Sequence, residues 1–513
     1  MLLLIIPILF VLMSSTSSLA ATYYIDFVGG ADSNTGTSTV APWKRVKGMT
    51  NVTGTAAAAT IADGDIIIFK GGVTWTTSYP WTIQHGTAST VTYTVDPAWF
   101  TGGAWTQPIF DDLGAHPAGT GMAGMTNGYA TLNNLRFTNC GITGTTDSDK
   151  CLVFNNSHHL TITNNTFDCY CWITIYLYYG TAGTYTTNTI TGNDFSHTTG
   201  AIWLGRDAAN AVVQTINYSN NVFHDFASQL GGGTHGDGAW HQFSSTPSDS
   251  TQYVDGLTFC NNRFYGDFRV SFAGGGGMSG YFFDEGGGKN YLLCNNDMSF
   301  DPVQASIFGQ GLIVIARNGN AQTGTIAMYG NTLLNNGVNA ASSAIDLYDD
   351  VPNVTIKNNL FVGFTTPIYF ETSSTRTGFT SNYNMFNAYS SNNIVGATQS
   401  FAQWNTLGYD LNGVDGGTAG LVDITPPLLD THLITSSTAK NAGVSLAGLG
   451  IAVLNSDLDG LSRPQGSAWD IGAYEFDQGG AGQSPDPPSG GSYLSSQRPA
   501  SQARSAAPAR ALR

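Results

Sequence analysis

The chain has 513 residues, a formal net charge of −16 and 11% charged residues, against roughly a quarter in an ordinary soluble domain. That balance excludes the basic stripe a nucleic-acid binder needs. With 41% hydrophobic and 12% aromatic residues, a disordered body is excluded as well.

Residues 1–21, MLLLIIPILFVLMSSTSSLAA, join an apolar run to small residues. This reads as a secretory signal cut near Ala20 or Ala21, since the run is short for a membrane span. No later segment is apolar enough to cross a bilayer. The expectation is an exported, extracellular or cell-surface protein, monomeric and without a membrane span. Residues 22–130 are rich in strand patterns but show no repeat, and should form an N-terminal cap with early rungs.

Residues 131–390 carry eight copies of one pattern, among them LTITNNTF (Leu160–Phe167), LTFCNNRF (Leu257–Phe264) and VTIKNNLF (Val354–Phe361). The aligned asparagines are Asn165, Asn193, Asn221, Asn262, Asn296, Asn331, Asn359 and Asn384, spaced by 28, 28, 41, 34, 35, 28 and 25 residues. A period of 20–50 residues means stacked units. Each unit is a short alternating strand and a polar turn with no helical period. One unit cannot bury its own apolar face, but stacked units share a core, so the repeat predicts a parallel β-solenoid. Crossovers between parallel strands are right-handed. The asparagines are read as structural, bonding to each other at a turn that tolerates left-handed geometry. Residues 391–477 should close the far end as a C-terminal cap. The tail, 478–513, holds four Arg and one Asp among Gly, Ser, Pro and Ala and reads as disordered.

The six cysteines suit an oxidising compartment. Cys260 and Cys294 occupy one repeat position, and stacked strands ~4.8 Å apart allow a bridge between them. Cys140, Cys151, Cys169 and Cys171 cluster near the first rungs and can pair among themselves. Their spacing is no zinc signature.

The strand after each turn also aligns, through AIWLGR (Ala201–Arg206), AWHQF (Ala239–Phe243), YFFDE (Tyr281–Glu285), LIVIAR (Leu312–Arg317), AIDLYD (Ala344–Asp349) and PIYFE (Pro367–Glu371). Alternation points Ile202, Leu204, Ile345 and Leu347 inward. It points Trp203, His241, Asp346 and Tyr369 outward, flanked by Arg206, Glu285, Arg317, Asp349 and Glu371. At His241 and Glu285 a slip of one residue reverses the face. The three longest intervals are consecutive and hold inserts at Gly231–Gly238, Gly274–Gly280 and Asp301–Gly311. Insertions on a solenoid gather on one side, often the binding side.

Three stretches carry a resemblance. Tyr23-Tyr24-Ile25-Asp26 with Gly30–Thr37 and Ala41-Pro42-Trp43-Lys44, and then Asp63–Gly72, resemble the opening of secreted bacterial β-helix proteins. Asp459-Gly460, Arg463-Pro464 and Trp469–Glu475 resemble their closing motif. The repeats resemble the right-handed parallel β-helix repeats of the pectate-lyase-like superfamily. That resemblance, over residues 22–477, implies an all-β right-handed parallel β-helix. Its functions range from lyases and hydrolases to adhesins.

His-Gly-Asp-Gly leading into a strand is common in β-helix carbohydrate enzymes, so His235 and Asp237 become catalytic candidates by resemblance. A glycine turn capped by its Asp is the alternative. His241, Glu285 and Arg317 complete the expected catalytic group. Trp203, Trp240, Arg269, Asp346 and Tyr369 are expected to bind substrate. Carboxylates on neighbouring coils reach either glycosidase spacing. An elimination would instead need a base, for which Arg269, Lys289 and Arg317 are available, and a cation such as Ca2+ held by carboxylates, with Asp267, Asp284 and Glu285 near. No other cofactor is implied. The expected function is cleavage of a polysaccharide in a groove along the helix side. The alternative is a non-catalytic glycan-binding or adhesion protein.

Overall fold

In the computed structural model, described residues are 20–76, 79–113, 121–141, 149–206, 208–226, 236–243, 251–266, 278–285, 288–300, 311–315, 324–335, 343–348, 351–371, 376–387, 391–394, 396–425 and 429–477. Strands wind into three sheets of 12 strands each, parallel except for one antiparallel pair closing the second sheet, Asn392–Ile394 with Ala397–Gln399. Each coil gives one strand to the first sheet, one to the third and one to the second, in that order. The fold is a right-handed parallel β-helix, as the repeat predicts.

The turn from first to third sheet is the repeat's asparagine, and its chemistry explains its constancy. All eight asparagines are at most 1% exposed. Asn165 donates both its backbone N–H and its Nδ2 to Asn193 Oδ1, each at 3.0 Å. The same pair of bonds runs from Asn193 to Asn221 and onward to Asn384. Each Nδ2 also reaches a carbonyl of the preceding coil, as from Asn262 to Tyr218 at 2.8 Å. The ladder ends on a carboxylate, Asp410, which accepts from Asn384 Nδ2 at 2.8 Å. Burial raises the Asp410 carboxyl. The residue before each ladder asparagine is left-handed: Asn164, Gly192, Asn220, Asn261, Asn295, Gly330, Asn358 and Tyr383. Asn and Gly fit that region at least cost.

Two positions on, the repeat's aromatic faces the core. Phe110, Phe137, Phe167, Phe195, Phe223 and Phe264 form one stack, with centroids 4.4–5.3 Å apart. Cys260 and Cys294 are bonded, as their shared position allows. The chain from 430 to 476 lies along the side of the coils. Asn295 Nδ2 donates to Val453 and Ser456 carbonyls, and Asn358 Nδ2 to that of Val444. Leu446, Leu454 and Trp469 pack over the disulfide. Trp404, on the short helix Phe401–Thr406, meets Phe370 and Phe379 at the end of the core.

Candidate functional site

The outward row of the second sheet differs from coil to coil. Its backbone register runs Gly124, Val153, Tyr176, Trp203, Trp240, Phe283, Val314, Asp346, Tyr369 and Asn393. Neighbours of opposite phase, such as Leu152, Ile175, Ile202 and Ile345, are core. The phase is therefore fixed by the apolar residues, which must face inward.

At one end of the row a groove of about 640 Å³ is lined by Pro80–His85, Gly121, Ala123–Thr126, Val153 and Asn155. Glycine lets the neighbouring strand approach closely here: a Cβ on Gly124 would fall 2.3 Å from the Val153 carbonyl oxygen. Beside it, Lys150 pairs in register with Gly121 and Ile173. Its ammonium sits 5.5 Å from the Trp172 ring and 5.2 Å from that of Tyr176, in cation–π range. Burial lowers the Lys150 pKa, opposed by Asp149.

An aromatic strip follows. Tyr176 meets Trp203 at 5.3 Å, Trp203 stacks on Trp240 at 4.6 Å and 11°, and Trp240 meets Phe283 edge-on at 6.2 Å. Trp172 packs on Trp203 from the side. Val153 and Asp346 are separated by six strand steps of ~4.8 Å, or roughly 29 Å.

At the other end lies Asp346. It is 1% exposed, accepts from the Gly311 N–H at 2.9 Å and from the Ser343 hydroxyl. Burial, reinforced by the nearby Glu371, pushes its carboxyl up to about 7. Tyr369 stands next in the row and hydrogen-bonds Glu371, which is exposed. Glu371 is two residues along the adjacent strand, so the two carboxylate-bearing backbones lie roughly 8 Å apart by strand geometry.

The expected site residues separate. Trp203, Trp240, Asp346 and Tyr369 share the outward row. His241 does not: it pairs in register with Leu204 and Asp284, is fully buried, and packs among Tyr218, Phe282 and Tyr291. The one-residue ambiguity resolves in favour of Trp240, because Ala239 and His241 take the phase of Ile202 and Leu204. Arg206, read as flanking the outward row, is buried too. Arg206, His241 and Asp284 make an internal polar cluster, with His241 Nδ1 3.9 Å from Asp284 Oδ1. Burial, helped by Arg206, holds the imidazole well below its usual pKa. Asp237 is 1% exposed, lies beside a bulge, and pairs with Gly200 and Gly280. Glu285 follows Asp284 and is half-buried, its N–H bonded to the His241 carbonyl. Lys289 is on the first sheet, paired with Asp255 and over Tyr253, away from this face. His235, Asp267, Arg269, Arg317 and Asp349 lie outside the described residues.

Lys150, Trp172 and Tyr176 escaped the sequence reading. They lie on coils before the first strand of the aligned outward row, AIWLGR. A run of alternating aromatics, Ile173–Tyr179, was the available signal.

No family model matches the chain, and no curated protein matches it. Among solved structures it is similar to pectate lyase Pel9A, at 14% identity over 89% of this chain and 97% of that one, with a TM-score of 0.36. It is similar to a rhamnogalacturonan lyase at 14% identity, covering 79% and 91%, TM-score 0.36. A GH136 lacto-N-biosidase from Eubacterium ramulus matches at 10% identity, covering 77% and 68%, TM-score 0.40. The fold assignment rests on the three sheets themselves. No described helix is long and apolar enough to cross a membrane.

Proposed function

We propose that the chain is an exported carbohydrate-active protein that holds a glycan along the outer face of the second sheet and hydrolyses it. The observation that carries this reading is the aromatic strip between an open groove and a carboxyl pair. Aromatic rings supply rigid apolar faces with polar edges, suited to sugar rings. Gln84, His85, Thr126 and Asn155 supply hydrogen-bonding groups in the groove.

Asp346, whose carboxyl burial pushes up to about 7, is the general acid and Glu371 the base. A catalytic acid works best with its pKa near the working pH. Carboxyl groups on neighbouring coils can reach the spacings that glycosidases use, and Glu371 is near enough to Asp346 to raise its carboxyl. The net charge of −16 opposes long-range attraction of a polyuronate, which favours a neutral glycan and hydrolysis over elimination.

The second reading, glycan binding without cleavage, is favoured by the near-complete burial of Asp346 and Asp237. Incubating the full chain with a glycan panel separates the readings. New reducing ends, lost in Asp346→Asn, support hydrolysis. Unsaturated uronates mean elimination. Binding without product supports the second reading, and absence of binding removes both.

A further inference from the structure

Four sulfur atoms meet inside the helix at the corner between third and second sheets. Cys140 Sγ lies 3.0 Å from Cys151 Sγ, 3.2 Å from Cys169 Sγ and 3.4 Å from Met122 Sδ. The three Sγ atoms are all within 4.8 Å of one another. All four residues are fully buried. They come from successive coils: Met122 on Gly121–Thr126, Cys151 on Lys150–Asn155, and Cys140 and Cys169 just past Arg136–Thr138 and Thr166–Asp168. Cys171 contacts Cys169 and faces the hydroxyls of Thr174 and Thr198, outside the group of three sulfurs within 4.8 Å of one another.

Apolar packing alone does not ask for this. Later coils fill the same corner with Thr198 and Phe226, both buried. We propose that Cys140, Cys151 and Cys169, with Met122 as a fourth donor, form a binding site for one soft, thiophilic metal ion. Thiolate and thioether donors select Zn2+ or Cu+. With metal–sulfur bonds of ~2.3 Å, tetrahedral thiolates stand about 3.8 Å apart. The observed separations reach that spacing by small side-chain rotations.

A thiol gives up its proton when it binds a metal, so binding weakens as pH falls. Complete burial also means the ion enters before the coils close, and its removal from the folded chain is slow. A disulfide from Cys140 would use one of these contacts and leave the remaining sulfurs unexplained.

The test uses the full chain, produced with Zn2+ or with Cu+ and washed with chelator. Bound metal is measured by mass spectrometry, and thiols are counted after denaturation in chelator without reductant. The site predicts one ion per chain and free thiols from all four unbridged cysteines, with the two preparations showing which ion is held. Cys151→Ser and Cys169→Ser should each lose most of the ion, and Cys171→Ser should keep it. Should the serine variants not fold, refolding the natural chain with Cd2+ must give the thiolate-to-metal absorption band. Metal-free protein with all four thiols would overturn the proposal. So would two missing thiols, which mean a disulfide, or an ion the serine variants retain.

Discussion

The asparagine turn and the outer row of the second sheet belong to the same coils and obey opposite rules. At the turn, eight coils use one residue, because each Asn must accept from the coil before and donate to the coil after. In the outer row no single residue repeats from coil to coil, and the residue changes from glycine to tyrosine, tryptophan, valine and aspartate. Uniformity marks the position that holds the helix together. Variety marks the positions that the stacking leaves unconstrained, of which Tyr176, Trp240 and Tyr369 are partly exposed while Phe283 and Val314 are buried.

Breaking the uniform side should have the largest effect. Asn262→Ala removes four side-chain hydrogen bonds, two to Asn221 and one each to Tyr218 and Asn296. At roughly 1 kcal/mol each, the loss is about 4 kcal/mol. A denaturant melt with an unchanged midpoint would refute the ladder's role. Cys260→Ser should come next, since closing a 34-residue separation is worth about 3–4 kcal/mol. Adding reductant to the natural chain should reproduce that drop.

On the variable side the effects should be on function. Asp346→Asn should lower turnover by at least about 10² while the melting midpoint changes little. Asp237→Asn gives the contrast: a comparable loss would move the acid to the bulge beside Gly236, as the His-Gly-Asp-Gly resemblance suggests. Trp203→Ala should weaken glycan binding by about 1–1.5 kcal/mol, the upper range of an aromatic pair contact, and, because Trp203 is buried against Trp172, Tyr176 and Trp240, it should lower the melting midpoint as well. Affinity electrophoresis on matched glycans would measure it.

A separate effect is in pH. Burial depresses His224, but bonds to Asp194 and Asp225, 2.9 Å each, hold its pKa up at about 10. In the C-terminal segment, bonds to Asp459 and Asp430 overcome burial and hold His432 at about 9. Both folded values exceed the unfolded value near 6.5. Their stabilisation is therefore complete below that pH and declines as pH rises through about 9 and 10. Melts between pH 6 and 10 should show the decline. His432→Gln should remove its share, and an unchanged profile would refute it.

The readable part of the site follows from the same contrast. Trp203, Asp346 and Tyr369 were legible because Ile202/Leu204, Ile345/Leu347 and Ile368/Phe370 flank them and fix the phase. His241 was not. Ala239 is a weak apolar signal, and the bulge at Gly236 to Asp237 disturbs the alternation.

By itself the sequence determined the solenoid and the register of its asparagine turn, and it allowed the Cys260–Cys294 bridge without requiring it. Each follows from a residue recurring at one position, and stacking turns recurrence into contact. Only the tertiary structure decided which charges are internal, how Lys150 meets Trp172 and Tyr176, that four sulfurs converge, and that Thr431 and Tyr474 bond Asp297. Those contacts join residues from different coils, or from a segment far along the chain. Distance in sequence carries no information about them until the coils have closed.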